Sequence, residues 1–249
     1  MFSKDVTVDK ILRGKISIIQ LKKGFRYGFE AVFLASFVNG YLKKFKKKKI
    51  SLADIGSGVG TISLIIAYHN NEINITAIEN NDNYLQIANE NIVINNFQKK
   101  INVIHGDIFN IDNHLINRFD IVVTNPPFYD QQQKKSENEL DNYAKRIINY
   151  ESWIENSLKL LKDKGVIFLI IPTGLLEKSL KILSKKTGSF KIFPIWPNPK
   201  KSSKRLILLA KKGGASPTEL MSGMRLLNNR GKITKKARTY SDNGIFNFL

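Results

Sequence analysis

Four consecutive residues, Asn125-Pro126-Pro127-Phe128, carry groups suited to holding a flat amino group. Asn125 offers a side-chain carbonyl acceptor, Pro126 a backbone carbonyl, and Phe128 an apolar ring face. Paired acceptors beside a stacking surface are what the exocyclic amine of a base such as adenine requires. The two prolines cannot extend a strand, because each lacks an N–H and has a fixed φ. They can hold a rigid loop. The preceding run, Phe119-Asp120-Ile121-Val122-Val123-Thr124, is short, apolar and β-branched, and it predicts a buried strand. The motif therefore falls at a strand's carboxyl end, the edge at which open α/β sheets place their ligands. Four residues also recur by chance, and the plain alternative is a proline-terminated strand with an ordinary loop.

A second group lies upstream, in Asp54-Ile55-Gly56-Ser57-Gly58-Val59-Gly60. Gly56, Gly58 and Gly60 allow a tight turn and close backbone approach to a ligand at a helix N-terminus. A dinucleotide fingerprint would place its third glycine at position 61, which is Thr. Asp54 also fits poorly beside a pyrophosphate, because two anions repel, and fits well beside a cationic amino-acid moiety. That combination points to S-adenosylmethionine rather than a dinucleotide. Glu79, 19 residues after Gly60, is placed to accept from both hydroxyls of a ribose. Asp107, after Gly106, can accept from the cofactor's adenine amine while the Ile108 N–H donates to the ring. For Glu79 the competing reading is a surface charge at a strand end, and for Asp107 a turn aspartate.

The elements that must position these residues alternate. Strands are expected at Ile50–Ile55, Ile73–Ile78, Ile101–His105, Phe119–Thr124, Val166–Ile171, Ser189–Trp196 and Arg205–Ala210. Helices are expected from Thr61, through Asn95, over residues 142–161, and over residues 174–186. Seven strands with interleaved helices imply an α/β fold: one Rossmann-like, mostly parallel sheet with helices on both faces. Before this core, residues 1–49 hold a polar lead-in, a strand at Ile16–Leu21, the Gly24-Phe25-Arg26-Tyr27-Gly28 loop, a helix at Phe29–Leu42 and a lysine run. The core spans residues 50–212. Residues 213–249 show weak periodicity and are expected to be irregular packing or a mobile extension.

Composition narrows the function classes. The chain has no cysteine, which excludes disulfides and thiolate metal sites, and its three histidines show no metal-ligand spacing. No metal is expected. The N-terminus lacks a signal-peptide pattern, and the longest apolar run is far too short to span a bilayer, so a soluble cytoplasmic protein with no membrane partner is expected. A net charge of +19 suits a polyanion such as RNA. Lys43, Lys44 and the lysines following them form one basic cluster, and Lys200, Lys201, Lys204 and Arg205 form another; Arg26 is a further candidate contact. The competing explanation is compositional bias, since runs of Lys, Ile and Asn are what an AT-rich genome writes on any surface.

With the glycine loop, two acids and Asn125-Pro126-Pro127-Phe128 all at strand carboxyl ends, the chain resembles the class I S-adenosylmethionine-dependent methyltransferases. The Asn-Pro-Pro-Phe segment resembles their signature of amino-group methylation. More narrowly, residues 20–35 (QLKKGFRYGFEAVFLA), the Lys204-Arg205 start of the last strand and its Lys211-Lys212-Gly213-Gly214 exit resemble the tRNA adenine-N6 methyltransferases acting beside the anticodon of a valine tRNA. That family usually has Asp where this chain has Glu30. The resemblance implies S-adenosylmethionine as cofactor, tRNA as partner and N6-methylation of the adenosine at position 37. Asn125 and Pro126 would grip the amine, and Phe128 would stack on a base drawn out of its loop.

Other readings use the same loop. Protein glutamine-N5 methylation usually comes with a separate helical domain before the first core strand, where here only 49 basic-rich residues stand. Ribosomal RNA guanine-N2 or adenine-N6 enzymes share the motif, commonly with an extra domain, and a DNA adenine enzyme would need a recognition domain. Outside enzymes, a catalytically idle RNA-binding assembly factor on the same scaffold is the alternative, which cofactor binding would discriminate.

Overall fold

The computed structural model describes residues 5–24, 26–44, 49–127 and 150–247. The seven expected core strands are present as β3 (Ile50–Ile55), β4 (Ile73–Glu79), β5 (Ile101–His105), β6 (Phe119–Thr124), β7 (Leu161–Pro172), β8 (Thr187–Trp196) and β9 (Arg205–Lys212). They lie side by side in the order β5-β4-β3-β6-β7-β9-β8. β3 pairs in parallel with β4 and β6, β4 with β5, and β6 with β7, while β9 runs antiparallel to both β7 and β8. The chain winds outward from β3 to β5, then returns to the other side of β3 as β6. This reversal opens a crevice beyond the carboxyl ends of β3 and β6.

Two apolar cores follow from burying both faces. Helices α1 (Phe29–Leu42), α2 (Thr61–His69) and α3 (Asp82–Ile94) cover one face. Helices α4 (Tyr150–Leu160) and α5 (Leu176–Leu183) cover the other, with Trp153, Ile154, Leu158, Ile182 and Leu183 pointing into the sheet. Residues 142–149 of the expected fourth helix lie outside the described residues. α5 starts after a turn of 3₁₀ helix at Thr173–Leu175, so its α-helical part is shorter than expected.

Elements beyond the seven strands enter at both ends of the chain. Ile16–Leu21 is β2, which pairs antiparallel with β1 (Val6–Ile11) in a hairpin separate from the main sheet. Two asparagines hold that hairpin on α3. Asn91 Oδ1 accepts from Ile19 N (2.6 Å), and its Nδ2 donates to Ile19 O (2.9 Å). One turn later Asn95 does the same to Ser17, at 3.0 and 2.7 Å. The i, i+4 spacing of a helix face thus serves residues i and i+2 of a strand.

The C-terminal segment is built into the fold. β10 (Glu219–Leu220) and β11 (Met224–Arg225) lie parallel to β8 on its outer edge, pairing with Lys191–Ile192 and Ile195–Trp196 respectively. The break between them falls at Phe193–Pro194, where proline offers no N–H to a neighbour. Helix α6 (Lys235–Asn243) is capped by Thr234 Oγ1 accepting from Ala237 N and closed by Gly244 at φ 64°. Phe246 then enters an aromatic cluster with Phe33, Phe37, Phe193 and Tyr240.

Candidate active site

Register brings the two motifs together. Ile55 of β3 pairs with Thr124 of β6, so Gly56 and Asn125 emerge side by side from adjacent strands. Gly56, Gly58 and Gly60 all have positive φ (66°, 54° and 85°), and a Cβ at Gly58 would meet nothing within 4 Å, leaving space for a ligand against the backbone. Gly60 caps α2, whose N-terminus faces the same crevice.

Three buried oxygens around this loop have no hydrogen-bond partner among the described residues: Asp54 Oδ1, Ser57 Oγ and Thr61 Oγ1. Orphaned buried acceptors are rare and costly, so a cluster of them marks where a ligand supplies donors. Asp54 is fully buried, with Oδ2 accepting from Ser63 N (3.2 Å) and Ser63 Oγ (2.7 Å). Burial pushes its carboxyl up to about 7, against the Ser63 hydrogen bonds. A ligand ammonium beside Oδ1 would restore the ionised form. A carboxylate oxygen to accept from an ammonium, with two hydroxyls beside it, fits the amino-acid end of S-adenosylmethionine.

Glu79 lies one strand further along. Its Oε2 accepts from Gly58 N (2.8 Å), and its Oε1 from Asn80 N (3.1 Å) and Asn81 N (3.0 Å). Burial pushes its carboxyl above the ordinary carboxylate range, opposed by those three N–H donors. The side chain thus fixes the glycine loop and the start of α3, with its remaining lone pairs available to a ribose. Asp107 is exposed, and its Oδ1 accepts from Phe109 N (2.9 Å) in a turn. Ile108 is buried, and its carbonyl accepts from Asn156 Nδ2 (2.9 Å).

That last contact belongs to a support the sequence did not reveal. Trp153 on α4 lies under the glycine loop, so that a Cβ at Gly56 would sit 3.1 Å from its ring. Its Nε1 donates to Thr124 Oγ1 (3.1 Å), which donates to the Ile55 carbonyl (3.0 Å). Its ring meets Phe109 edge-on at 6.0 Å. One tryptophan therefore ties the ends of β3 and β6 to the Asp107–Phe109 turn. The amphipathic pattern of α4 marks Trp153 as a core residue, but nothing in it shows which loop the ring underlies. On the opposite side, Asn91 Nδ2 also donates to Val59 O (2.9 Å), tying the loop to α3.

Asn125 and Pro127 are half-buried and Pro126 is buried, while Phe128 lies outside the described residues. Lys200, Lys201 and Lys204 are exposed in the turn between β8 and β9, on the same carboxyl edge. Arg205 Nε stands 3.3 Å from Glu30 Oε1, and Arg26 Nη2 stands 2.8 Å from Asp9 Oδ2, so both arginines are engaged within the fold. Lys43 Nζ donates to Asn247 (3.0 Å), and Lys44 is exposed. These two precede β3, at the edge opposite Asn125; residues 45–48 of that run lie outside the described residues. No group of three or more His, Asp or Glu among the described residues could hold a metal ion.

The family model described as "Methyltransferase small domain" matches residues 39–193, which span β3 to β8 and both motif loops. The chain belongs to this methyltransferase family. Among curated relatives, the tRNA1(Val) (adenine(37)-N6)-methyltransferase of Flavobacterium johnsoniae is 25% identical over 215 residues, covering 83% of this chain and 86% of its own length. The protein of the same name from Actinobacillus pleuropneumoniae serotype 7 is 28% identical over 165 residues, or 65% and 69%. Among solved structures, a predicted O-methyltransferase from Agrobacterium tumefaciens superposes with a TM-score of 0.69 at 19% identity, covering 86% of this chain and 96% of its own. TYW2 of M. jannaschii, solved in complex with AdoMet, superposes with a TM-score of 0.58 at 15% identity, covering 85% of this chain and 88% of its own. The fold is that of the class I methyltransferases. No helix among the described residues is long and apolar enough to cross a membrane.

Proposed function

We propose that this protein methylates N6 of an adenosine in tRNA, at position 37 of a valine tRNA. The observation that carries the reading is the register of β3 and β6, which sets Asn125 beside the glycine loop with its orphaned acceptors. The narrower substrate is supported by curated relatives of that name at 25–30% identity.

S-adenosylmethionine supplies, when bound, a methyl group on a sulfonium sulfur that leaves as a neutral thioether once the methyl passes to an amine nitrogen. Asp54, Ser57 and Thr61 would hold its amino-acid end, the Gly56–Gly60 backbone would admit it, and Glu79 would meet its ribose. Asp107 and Ile108 would flank its adenine.

Asn125 performs the work on the substrate. An aryl amine is a poor nucleophile because its lone pair is delocalised into the ring. The Asn125 side-chain oxygen and the Pro126 carbonyl would accept the two N–H groups, drawing the nitrogen toward tetrahedral geometry and freeing its lone pair. The two prolines keep these acceptors fixed, so little reorganisation is needed during reaction. Phe128 would stack on the extruded base. No general base is needed before transfer, since the amine becomes acidic only once methylated. Positioning of this kind can supply about 7–11 kcal/mol.

The test is nucleoside mass spectrometry of an unmodified valine tRNA transcript incubated with protein and S-adenosylmethionine. N6-methyladenosine at position 37 is expected. Methylation of a protein glutamine or of ribosomal RNA, with the tRNA untouched, would overturn the reading.

A further inference from the structure

The positive charge of this chain is unevenly placed. Between Lys178 and Ser241 stand seventeen Lys and Arg against a single acid, Glu219. Glu219 is itself paired with Lys191. Genome-wide bias toward lysine would raise basic residues throughout the chain, but it would not leave only a single acid in about a quarter of it.

Part of this charge is gathered on a built loop. β11 continues the carboxyl edge beyond β8, and the chain past it stays pinned there: Leu226 N donates to Trp196 O (2.8 Å) and Leu227 N to Pro197 O (2.9 Å). The chain then reverses. Asn228 N donates to Lys232 O (2.8 Å), and Asn228 Oδ1 accepts from Arg230 N (2.9 Å) and Lys232 N (3.1 Å). Thr234 N returns to Leu226 O (2.8 Å). A tight, internally bonded loop thus holds Arg230 and Lys232 outward, next to the β8–β9 turn that holds Lys200, Lys201 and Lys204. These five residues and Arg225 are exposed, and none forms an ion pair with another described residue.

Position says what such a surface can reach. Along the carboxyl edge the order is β6, β7, β9, β8, β11. Four strand spacings separate Asn125 from Arg225, about 20 Å. A base held at Asn125 cannot extend that far, but the backbone on either side of it can. Unpaired exposed cations gain most from phosphates, because each contact releases condensed counterions.

We infer that the loop at residues 226–234, with the neighbouring β8–β9 turn, is a docking surface for the tRNA phosphate backbone flanking the modified nucleotide. The inference rests on the tRNA reading above and gives the C-terminal segment a role in substrate binding. Binding of an unmodified valine tRNA transcript, measured across salt concentrations, tests it. The paired variants R230Q/K232Q and R230E/K232E should each reduce the log–log salt slope, the neutral pair by about 1.5. Cofactor affinity and thermal midpoint should stay at wild-type values. An equal charge change on the opposite edge, K99E/K164E, should leave the slope intact. A wild-type slope in both loop variants, lost affinity without a change of slope, or equal flattening by the opposite-edge pair would overturn the inference. If wild-type protein neither methylates the transcript nor binds it salt-dependently, the tRNA reading has failed and this one with it.

Discussion

Among the described residues, Asp54, Ser57 and Thr61 each leave a buried oxygen unpartnered, and Asp54 alone of the three carries a titratable group. With its folded carboxyl pushed up to about 7, well above the unfolded value of about 3.9, its contribution to the stability of the ligand-free chain is fully present below about pH 4. That contribution is lost as pH rises toward 7. A cationic ligand favours the ionised form, so the opposite trend holds for binding. S-adenosylmethionine affinity should fall as pH drops below about 7, approaching tenfold per unit, with a proton released on binding. Calorimetric titration in buffers of different ionisation enthalpy measures both. In Asp54→Asn this pH dependence should vanish and affinity should fall by about 1.5–3 kcal/mol. Affinity independent of pH between 5 and 7 in the wild type would show that Asp54 does not face the cofactor. Asp54 was readable in the sequence because an acid before a glycine turn argues against a pyrophosphate. Ser57 and Thr61 carry no such signal, since a hydroxyl shows its missing partner only once its surroundings are built.

At the scale of elements, Asn91 and Trp153 hold the site from opposite faces of the sheet. The Asn91 side chain makes three hydrogen bonds, two to Ile19 and one to Val59 in the glycine loop. At about 1 kcal/mol each, Asn91→Ala should cost roughly 3 kcal/mol in denaturant unfolding and should also weaken cofactor binding. Unchanged binding would show that the loop does not depend on α3. Trp153→Phe keeps most of the ring but loses the bond to Thr124, so a smaller loss of about 1 kcal/mol is expected. The core strands were legible because apolar β-branched runs alternate with helical spacing. β1 was not, because Val6-Thr7-Val8-Asp9-Lys10-Ile11 pairs with β2 alone and stays partly exposed, which reads as a polar lead-in. α6 is hidden in the sequence for a related reason. Lys235-Lys236-Ala237-Arg238-Thr239-Tyr240-Ser241-Asp242-Asn243 buries Ala237 alone and has almost no apolar stripe, although Thr234 and Gly244 mark its ends.

Taken whole, the molecule closes its core with residues remote in sequence. Phe246, 2% exposed, packs among Phe33 and Phe37 from α1 and Phe193 from β8. Phe246 N also donates to Ser36 O (2.9 Å). Phe246→Ala should therefore destabilise the protein by about 3–5 kcal/mol. A thermal midpoint unchanged from wild type would show that the C-terminal segment is dispensable to the core. Periodicity could not reveal this, because a single aromatic after a polar helix carries no repeat; only the assembled cluster explains it. The same whole-chain view separates the two basic clusters seen in sequence. Lys200, Lys201 and Lys204 share the carboxyl edge with Asn125, whereas Lys43 and Lys44 sit before β3 at the other edge.

Methyl transfer to the amine depends on Asn125, and single-turnover methylation of an unmodified valine tRNA transcript tests this most directly, with S-adenosylmethionine affinity measured in parallel. Asn125→Ala removes one preorganised acceptor while leaving Asp54, Glu79 and the glycine loop in place. The predicted result is a methylation rate lower by about 10²–10³ with cofactor affinity near wild type. Methylation by Asn125→Ala at the wild-type rate would contradict the assignment of the Asn125-Pro126-Pro127 loop as the site that grips the amine.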